Sequence, residues 1–592
     1  MAAIGDYAII GDGRSAALVG RNGAIEWLCW PRFESSPIFG AMLDERGGTW
    51  RIAPTDAFTT TRCYQPHTNV LDTTFVTQAG RAVVTDLMTI ASEEDKRELM
   101  MPEHELVRCV RCVEGEIVFD VEVSPRPDFA RVRARDLGAL GLRWEVGSSL
   151  VTLRGEAPLV LDDAGTARAR IHLRAGDRAI FSLAYEAEAP AVLPLLGVAA
   201  LDAIERSARW WREWADRATY HGPYREIVVR SALALKLLSF APSGAIVAAP
   251  TTSLPEIAGG SLNWDYRYCW LRDASFTVRA LLDLGYVEDS VAFCSWLLHA
   301  TRLTRPELRV LYDVYGKSPQ PERELALAGY RDSRPVRVGN GAVHQLQLDT
   351  YGEVIDATSQ IARTTGRLDL ATQALLRDYG RYVCDHWREP DAGIWEPREP
   401  ARHRTHSRVC CWVALDRLIE LCRRGMLDRL DTDRLIRERA AIRHDIETNA
   451  FDEAHQSYAS WLGGSEVDAA LLQMSWYGFH PAASPRMVST YARIREQLNV
   501  APGLFHRNLR SLRRDEGAFW ICSFWAVEHL ALTGAHDEAR RLFEHACGYA
   551  NDLGLMAEEV DPHTGTQLGN FPQAYTHVGA ISAALALEEQ RR

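Results

Sequence analysis

Leu284-Gly285-Tyr286 is the first of five short turns, each centred on a glycine, that recur in the chain after residue 224. Glycine readily adopts the left-handed conformation that ends many helices, so we interpret each turn as the junction of a helical hairpin. The other four turns follow at spacings of 81, 59, 53 and 56 residues and are Thr365-Gly366-Arg367, Arg424-Gly425-Met426, Tyr477-Gly478-Phe479 and Thr533-Gly534-Ala535.

This repeat predicts a ring of paired helices. Five hairpins supply ten helices, and we expect one further helix before them, over Tyr224 to Leu238, and one after them, over Gln573 to Leu587. Twelve helices form six hairpins if the first and last pair to close the ring. We therefore predict an (α/α)6 toroid, or barrel, over residues 223–592.

The first 200 residues show a different pattern. Apolar side chains at Ile117, Phe119, Val121 and Val123 alternate with their neighbours, as a sheet with one buried face requires, and turn signals such as Arg21-Asn-Gly23 recur. Many short strands without intervening helices predict an antiparallel β-sandwich over residues 1–200. Residues 201–222, with tryptophans at helical spacing, are expected to form a linker helix. The predicted fold class is thus multidomain, α and β.

Composition excludes several classes of function. The 592 residues include 79 acidic and 67 basic ones, a net charge of −12 without a basic cluster, which argues against binding nucleic acid. The apolar stretches are too short to span a membrane, and the first 20 residues lack the pattern of a secretory signal. Twelve cysteines in a chain of this length are sparse, so we expect a cytoplasmic protein with free thiols. The sequence does not indicate an oligomeric state.

The predicted toroid also indicates where a site should lie. If the short glycine turns lie at one end, all other connections meet at the opposite end, and long structured loops on a rigid scaffold are where sites are built. These connections are 241–272, 302–350, 380–405, 445–464, 498–516 and 551–572.

Three motifs in these loops contain residues suited to chemistry on sugars: Asn263–Asp273, Asp391–Arg398 and Leu555–Asp561. A carboxyl group beside an indole is partly desolvated, which suits it to donate a proton, and a second carboxylate could activate water. Two carboxylates flanking one bond are the minimal machinery of glycoside hydrolysis. Each motif also has a purely structural interpretation: a solvated loop acid, an ion pair at a helix start, or a tryptophan in the core.

We expect neither a metal ion nor a cofactor. Cys109-Val-Arg-Cys112 has the spacing of zinc ligands but lacks a second pair. His403-Arg-Thr-His406 has two interpretations, a pair of metal ligands or, in preference, a loop that forms hydrogen bonds.

Along nearly its whole length the chain resembles glycoside hydrolase family 15, the glucoamylase-like and bacterial trehalase enzymes. The opening Ile4–Asp12 and Ile25–Phe33 look like the family's bacterial N-terminal sandwich. The barrel motifs of the family are similar to Asn263–Asp273, Pro335–Gly341 with Gln347 and Asp349, Gly393–Glu396, and Ala557–Asp561 with Leu568–Pro572.

The resemblance implies a role for each motif. Glu396 would be the general acid and Glu558 the general base, with inversion at the anomeric carbon. Arg272 and Asp273 would hold hydroxyls of the terminal glucose, and Trp270 and Trp395 would line that subsite. Two positions depart from glucoamylases: Pro397 follows the acid, where many have a second acid, and Glu559 follows the base, where many have glutamine. Glu559 stays an alternative base or a binding residue.

We therefore expect an exo-acting, inverting α-glucoside hydrolase that releases β-glucose from trehalose or short α-gluco-oligosaccharides. Its only expected partner is a small saccharide. Two other functions fit the same residues: a sugar phosphorylase on this scaffold, in which phosphate replaces water, and a carbohydrate-binding protein without turnover.

Overall fold

The computed structural model describes residues 1–132, 134–187, 193 and 195–589. The N-terminal part of the chain forms one extended antiparallel β-structure, with a short helix, α1 (Glu93–Glu98), before its longest strand. Its strands within the described residues are β1 Tyr7–Gly11, β2 Ala16–Gly20, β3 Ala24–Cys29, β4 Pro37–Phe39, β5 Thr49–Pro54, β6 Thr59–Tyr64, β7 Leu71–Val76, β8 Gly80–Met88, β9 His104–Ser124, β10 Ala134–Asp136, β11 Leu142–Val146, β12 Ser149–Gly155, β13 Val160–Leu161, β14 Ala167–Arg174 and β15 Arg178–Glu186.

Strand β9 joins the two halves of this β-structure. Its first half pairs with β8 and β15, and its second half pairs with β5 and β14. Along β14, buried and exposed residues alternate without exception, which is the pattern of a sheet with one face on a core. The alternation predicted around Ile117 lies on β9, where Ile117, Phe119, Val121 and Val123 are all buried.

A helix, α2 (Val198–Ala215), connects the β-structure to the rest of the chain. It begins earlier than the predicted linker and packs its buried face, which includes Trp211 and Trp214, against the following helices. The Trp214 ring stacks on Tyr286 with centroids 4.0 Å apart. The β-structure also contacts the helical part directly, because the indole of Trp27 donates a hydrogen bond to the carbonyl of Pro250.

The C-terminal part is helical, as predicted. Its helices within the described residues are α3 Arg225–Leu237, α4 Leu271–Asp283, α5 Val287–Thr301, α6 Asp349–Thr365, α7 Leu370–His386, α8 Thr405–Arg423, α9 Thr432–Asn449, α10 Gln473–Trp476, α11 Pro485–Leu498, α12 Leu509–Arg513, α13 Trp520–Thr533, α14 His536–Cys547 and α15 Ala574–Glu589.

Six of these helices form an inner ring in which neighbours pack side by side: α4, α6, α8, α10, α13 and α15. Their burial explains the apolar sequences of α13 and α15, since helices that are apolar on all sides need neighbours on all sides. The helices α3, α5, α7, α9, α11 and α14 lie outside them. The predicted toroid of helical hairpins is therefore confirmed, and the last three residues of its expected range, 590–592, lie outside the described residues.

Each of the five glycine turns joins an inner helix to the next outer one. Gly366 and Gly534 adopt φ values of +73° and +85° and end α6 and α13 in the left-handed conformation. The fourth hairpin differs from the others, since its inner helix is a 3-10 turn, Ala469–Leu472, followed by the single-turn α10. Short inner-to-outer turns leave the N-terminal ends of all six inner helices together at the other mouth.

The connections that lead to this mouth are long and are held by small strands. They are β16 Ser239–Phe240, β17 Ala245–Ile246, β18 Thr252–Pro255, β19 Asn263–Asp265, β20 Cys269–Trp270, β21 Leu311–Tyr312, β22 Arg323–Leu325, β23 Val336–Val338, β24 Phe451–Asp452, β25 Ser457–Tyr458, β26 Asn499–Ala501, β27 Leu504–Phe505, β28 Ala518–Phe519, β29 Glu559–Val560 and β30 Gln567–Leu568. Among the described residues, no helix combines the length and apolar character that crossing a membrane requires.

Candidate active site

A cavity opens at the mouth where the inner helices begin. It has a volume of ≈ 800 Å³, within the range of about 300–1,000 Å³ that ligand pockets usually have. A smaller pocket of ≈ 40 Å³ shares some of its lining. The residues common to both are Tyr266, Trp395, Glu396 and Arg507. We call the small pocket the inner pocket, and it lies at the start of α4.

Glu396 lies between the two cavities, and two donors hold its carboxyl group. The indole N–H of Trp270 donates to Oε1 at 2.7 Å, and Nη1 of Arg272 donates to the same oxygen at 3.2 Å. Because both donors within the described residues contact Oε1, Oε2 is the oxygen available to a ligand. Glu396 has a φ of +53°, a conformation that non-glycine residues rarely adopt and that is often maintained at functional sites.

Arg272 and Asp273 occupy the first turn of α4 and line the inner pocket. Nε of Arg272 donates to Oδ2 of Asp273 at 3.1 Å, and Nη1 also donates to the carbonyl of Ile394 at 2.8 Å. These bonds fix the guanidinium against the loop that contains Glu396. Burial raises the pKa of Asp273 in spite of its arginine partner. The pair therefore presents a rigid donor and acceptor to a ligand.

Trp395 has its ring at the boundary of the cavities. Its indole N–H donates to both carboxylate oxygens of Asp468, each at 2.9 Å. Asp468 is the residue that caps the 3-10 turn before α10, so it anchors the Trp395 ring to the inner ring of helices. The face of this ring is then held in a fixed position in the lining.

Glu558 comes immediately before β29 and has no exposed surface. Its Oε1 accepts a hydrogen bond of 2.7 Å from the hydroxyl of Tyr266, a residue that lines both cavities. The loop at Gly569 lies against Oε2, where a Cβ atom would come within 2.5 Å, so glycine is required there. Burial and the charge of Glu256 raise the pKa of Glu558 above its ordinary value.

Glu559 lies in a cluster of charged groups around Arg507. Nη2 of Arg507 lies 3.5 Å from Oε1 of Glu559, 2.5 Å from Glu256 and 2.8 Å from Glu516. Three carboxyl groups share one guanidinium in this buried cluster, and burial and Glu256 raise the pKa of Glu559 well above its ordinary value.

The structure brings five of the predicted site residues together in the lining of the inner pocket. Trp270, Arg272, Asp273, Trp395 and Glu396 come from two loops distant in sequence and lie around one hollow. Glu558 reaches that hollow through Tyr266, whereas Glu559 contributes to the Arg507 cluster instead.

Several further residues of the site were not predicted. Tyr266 lies within the Asn263–Asp273 motif that the sequence pointed to. Nothing in the sequence distinguishes Tyr266 from the other aromatic residues of that motif as a hydrogen-bond donor to the site. Arg507 lies in a loop that was predicted to face the site, but no motif around it marked it as a site residue. Tyr575 lines the inner pocket from the start of α15, where a tyrosine in an apolar helix gave no signal.

A toroid of helical hairpins, with carboxyl groups, an arginine–aspartate pair and indoles around one hollow, defines a glycoside hydrolase by its fold and its site. The chain belongs to glycosyl hydrolases family 15, whose model matches residues 222–538 and 531–585, and a trehalase-like N-terminal domain model matches residues 1–196. The resemblance seen in the sequence is therefore confirmed, as is the expected enzyme class. Inversion of configuration is general to the family.

Curated relatives extend over nearly the whole chain. A trehalase of Mycobacterium tuberculosis is 35% identical over an alignment of 621 positions, which includes 98% of this chain and 89% of the relative. A trehalase of Thermoplasma acidophilum is 33% identical, and the alignment includes 97% of this chain and 98% of that trehalase. Among solved structures, a bacterial glucoamylase complexed with acarbose has a TM-score of 0.71 at 11% identity and covers 99% of this chain and 94% of its own, so it shares the fold.

Proposed function

We propose that this enzyme hydrolyses trehalose, with residues 223–592 as its catalytic domain. The observation that supports this substrate is the likeness to proteins named trehalase, which extends over 97% or more of the chain and includes both the β-structure and the toroid. A cavity of ≈ 800 Å³ is large enough for a disaccharide, and the inner pocket of ≈ 40 Å³ can take hydroxyl groups of its terminal ring.

In the proposed mechanism Glu396 is the general acid. The bonds from Trp270 and Arg272 hold Oε1, and the proton is transferred from Oε2 to the glycosidic oxygen as its bond to the anomeric carbon breaks. The guanidinium of Arg272 then stabilises the carboxylate that this transfer leaves. Charge develops on the sugar ring as an oxocarbenium-like state, and the indole of Trp395 lies in the wall beside it.

Glu558 is proposed as the general base, and Tyr266 as the residue that positions it. Oε1 lies beside the hydroxyl of Tyr266, a residue that lines the cavity, so Oε1 takes a proton from the water whose oxygen bonds to the anomeric carbon, whereas Oε2 is buried against the Gly569 loop. Glu559 is less suited to this step, because its carboxyl group belongs to the Arg507 cluster. We propose that Arg272 and Asp273 bind hydroxyl groups of the terminal glucose that reach into the inner pocket.

One experiment tests the substrate and the reaction together. The purified protein is incubated with trehalose, isomaltose, maltose or maltotriose, with and without inorganic phosphate, and the products are followed by proton NMR. Inversion attaches the water oxygen on the face opposite the bond that breaks, so trehalose should first release one α-glucose and one β-glucose. Only α-glucose from trehalose would contradict inversion, and glucose 1-phosphate formed with phosphate would indicate a phosphorylase.

We also propose a cytoplasmic location. All twelve cysteines are free and eight of them are buried, which suits a reducing compartment. Cell fractionation of the native organism, with the protein detected by antibody, tests this location.

A further inference from the structure

Helices α6 and α8 approach each other unusually closely inside the toroid. A Cβ atom at Gly352 of α6 would lie 2.2 Å from the backbone carbonyl oxygen of Cys410 on α8, so only glycine allows this contact. Asp349 and Glu353 flank this point four residues apart on α6, and His406 lies four residues before Cys410 on α8. Residues at this spacing share one face of a helix.

These two helix faces bring together nitrogen, sulfur and oxygen atoms. The side chains of Glu353, His406 and Cys410 each offer one ligand atom, and the three atoms all lie within 4.8 Å of one another. All three residues are buried. His406 was interpreted from the sequence as part of a loop that forms hydrogen bonds, but it lies in the first turn of α8.

Two distances from His406 match those between ligands of a tetrahedral zinc ion. Nε2 of His406 lies 3.6 Å from Sγ of Cys410 and 3.3 Å from Oε1 of the buried Gln473 on α10. Zinc bonds of about 2.0–2.1 Å to nitrogen or oxygen and about 2.3 Å to sulfur, at tetrahedral angles, place N and S about 3.5 Å apart and N and O about 3.4 Å apart.

Glu353 supplies an independent observation. The residue is 2% exposed, and within the described part of the chain neither of its carboxylate oxygens has a hydrogen-bond partner. Buried carboxylate oxygens without donors are costly, and such a group calls for an explanation such as a bound ion. The amide nitrogen of Gln473 is likewise buried without a partner among the described residues. No hydrogen bond from this nitrogen therefore fixes which way the amide group is turned.

We propose that Glu353, His406, Cys410 and Gln473 bind one zinc ion that links α6, α8 and α10 inside the toroid. Thiolate and imidazole ligands with two oxygen donors suit this borderline-soft cation, and four protein ligands make a closed, structural site. Oδ2 of Asp349 lies 3.6 Å from Nδ1 of His406, beyond hydrogen-bond distance, on the side of the ring where carboxylates lie beside zinc-bound histidines. This proposal departs from the expectation, drawn from the sequence, that the chain binds no metal.

The site has a structural consequence for the fourth hairpin. Its inner helix is only a 3-10 turn and the single-turn α10, too short to be stable through its own hydrogen bonds. A metal bond to Gln473 would attach this short segment to two full-length inner helices. Asp468, which anchors Trp395, lies at the start of the same segment.

The test measures metal content in the full-length protein. The wild type is expressed in medium supplemented with zinc, so that the ion is present during folding, then dialysed and analysed by mass spectrometry for metals. We expect about one tightly held zinc per chain. Cys410→Ala and Glu353→Leu, which each remove a ligand atom, should lose it. Cys411→Ala is the matched control, because Cys411 is equally buried on α8 but lies near the carbonyl of Leu348, and it should retain the zinc.

A spectroscopic measurement keeps the proposal testable if a variant does not fold. Protein expressed with cobalt in place of zinc should show the thiolate-to-cobalt charge-transfer band, and the band should persist in Cys411→Ala. Wild-type protein that holds neither zinc nor cobalt after folding in their presence would overturn the proposal. Equal zinc in wild type and Cys410→Ala, with no thiolate band, would overturn it as well.

Discussion

Tyr266 and Trp270 lie edge to face with ring centroids 5.3 Å apart at 64°, and each donates a hydrogen bond of 2.7 Å to a different glutamate. Tyr266 donates to Glu558 and Trp270 to Glu396. One aromatic pair, four residues apart in a single loop, therefore connects two carboxyl groups that are 162 positions apart in the chain. Any change in the packing of this pair alters both carboxyl groups together.

Glu396→Gln and Glu558→Gln should each lower kcat by about 100-fold or more, since general acids and bases contribute about 10²–10⁴ to rate. Both glutamines retain the shape of the side chain and accept the same hydrogen bonds, so the fold should survive. The measurement is glucose release from trehalose, with circular dichroism to verify folding.

Glu559→Gln is the matched comparison for the base. Its carboxyl group faces Arg507 rather than Tyr266, so we expect a loss smaller than that of Glu558→Gln by about tenfold or more. The reverse order, with Glu559→Gln the more damaging change, would assign the base to Glu559.

Tyr266→Phe removes one hydroxyl group while it retains the ring that packs on Trp270. A hydrogen bond to a charged group contributes about 1.5–3 kcal/mol, so loss of the bond to Glu558 should lower kcat by about 10- to 100-fold. KM should change less, because the ring still lines the pocket. Steady-state kinetics separates the two effects, and a loss confined to KM would show that Tyr266 binds substrate and does not position the base.

Glu256→Gln should shift the pH dependence of the enzyme. A general base acts only when ionised, and the charge of Glu256 helps to raise the pKa of Glu558. Neutral glutamine removes that charge, so the pKa of Glu558 should fall and the acidic limb of kcat/KM should move to lower pH. The measurement is kcat/KM for trehalose between pH 4 and 10.

Glu516→Gln is the control for this shift. It also removes a carboxylate that contacts Arg507, at 2.8 Å, yet Glu516 is not among the main influences on Glu558. Its acidic limb should stay near that of the wild type. If both variants move the limb equally, loss of charge around Arg507 is the cause, and Glu256 has no particular role.

The helical architecture could be predicted because its signal is local and repeated. Gly366 and Gly534 end helices through their own backbone conformation, and that preference is a property of the residue itself. The short fourth inner helix could not be predicted, because Asp468 begins it with a 3-10 turn that depends on the indole of Trp395 and on neighbouring loops. Tertiary contacts override local propensity there.

The site could be predicted only in part, for a related reason. Arg272 and Glu396 occur in motifs that a family resemblance identifies. The hydrogen-bond partners of these two side chains depend on how the chain folds. Glu558, and not Glu559, accepts the hydrogen bond from the Tyr266 hydroxyl. That contact joins distant loops, and no spacing in the sequence encodes it.

Glu528 provides a prediction about stability, outside the site. It lies on α13, is 4% exposed, and burial raises its pKa to about 8, although the charge of Arg279 opposes this shift. Between its ordinary value of 4.5 and about 8, the folded protein retains a proton that the unfolded chain releases. Unfolding then becomes more favourable as pH rises, by about 1.4 kcal/mol for each pH unit.

Glu528→Gln retains a neutral side chain of similar size but cannot ionise in the unfolded chain. Its Tm should therefore be close to that of the wild type at pH 5 and higher than that of the wild type at pH 8. Scanning calorimetry at the two pH values measures the difference, and a Tm difference that does not change with pH would show that Glu528 is ionised in the folded protein.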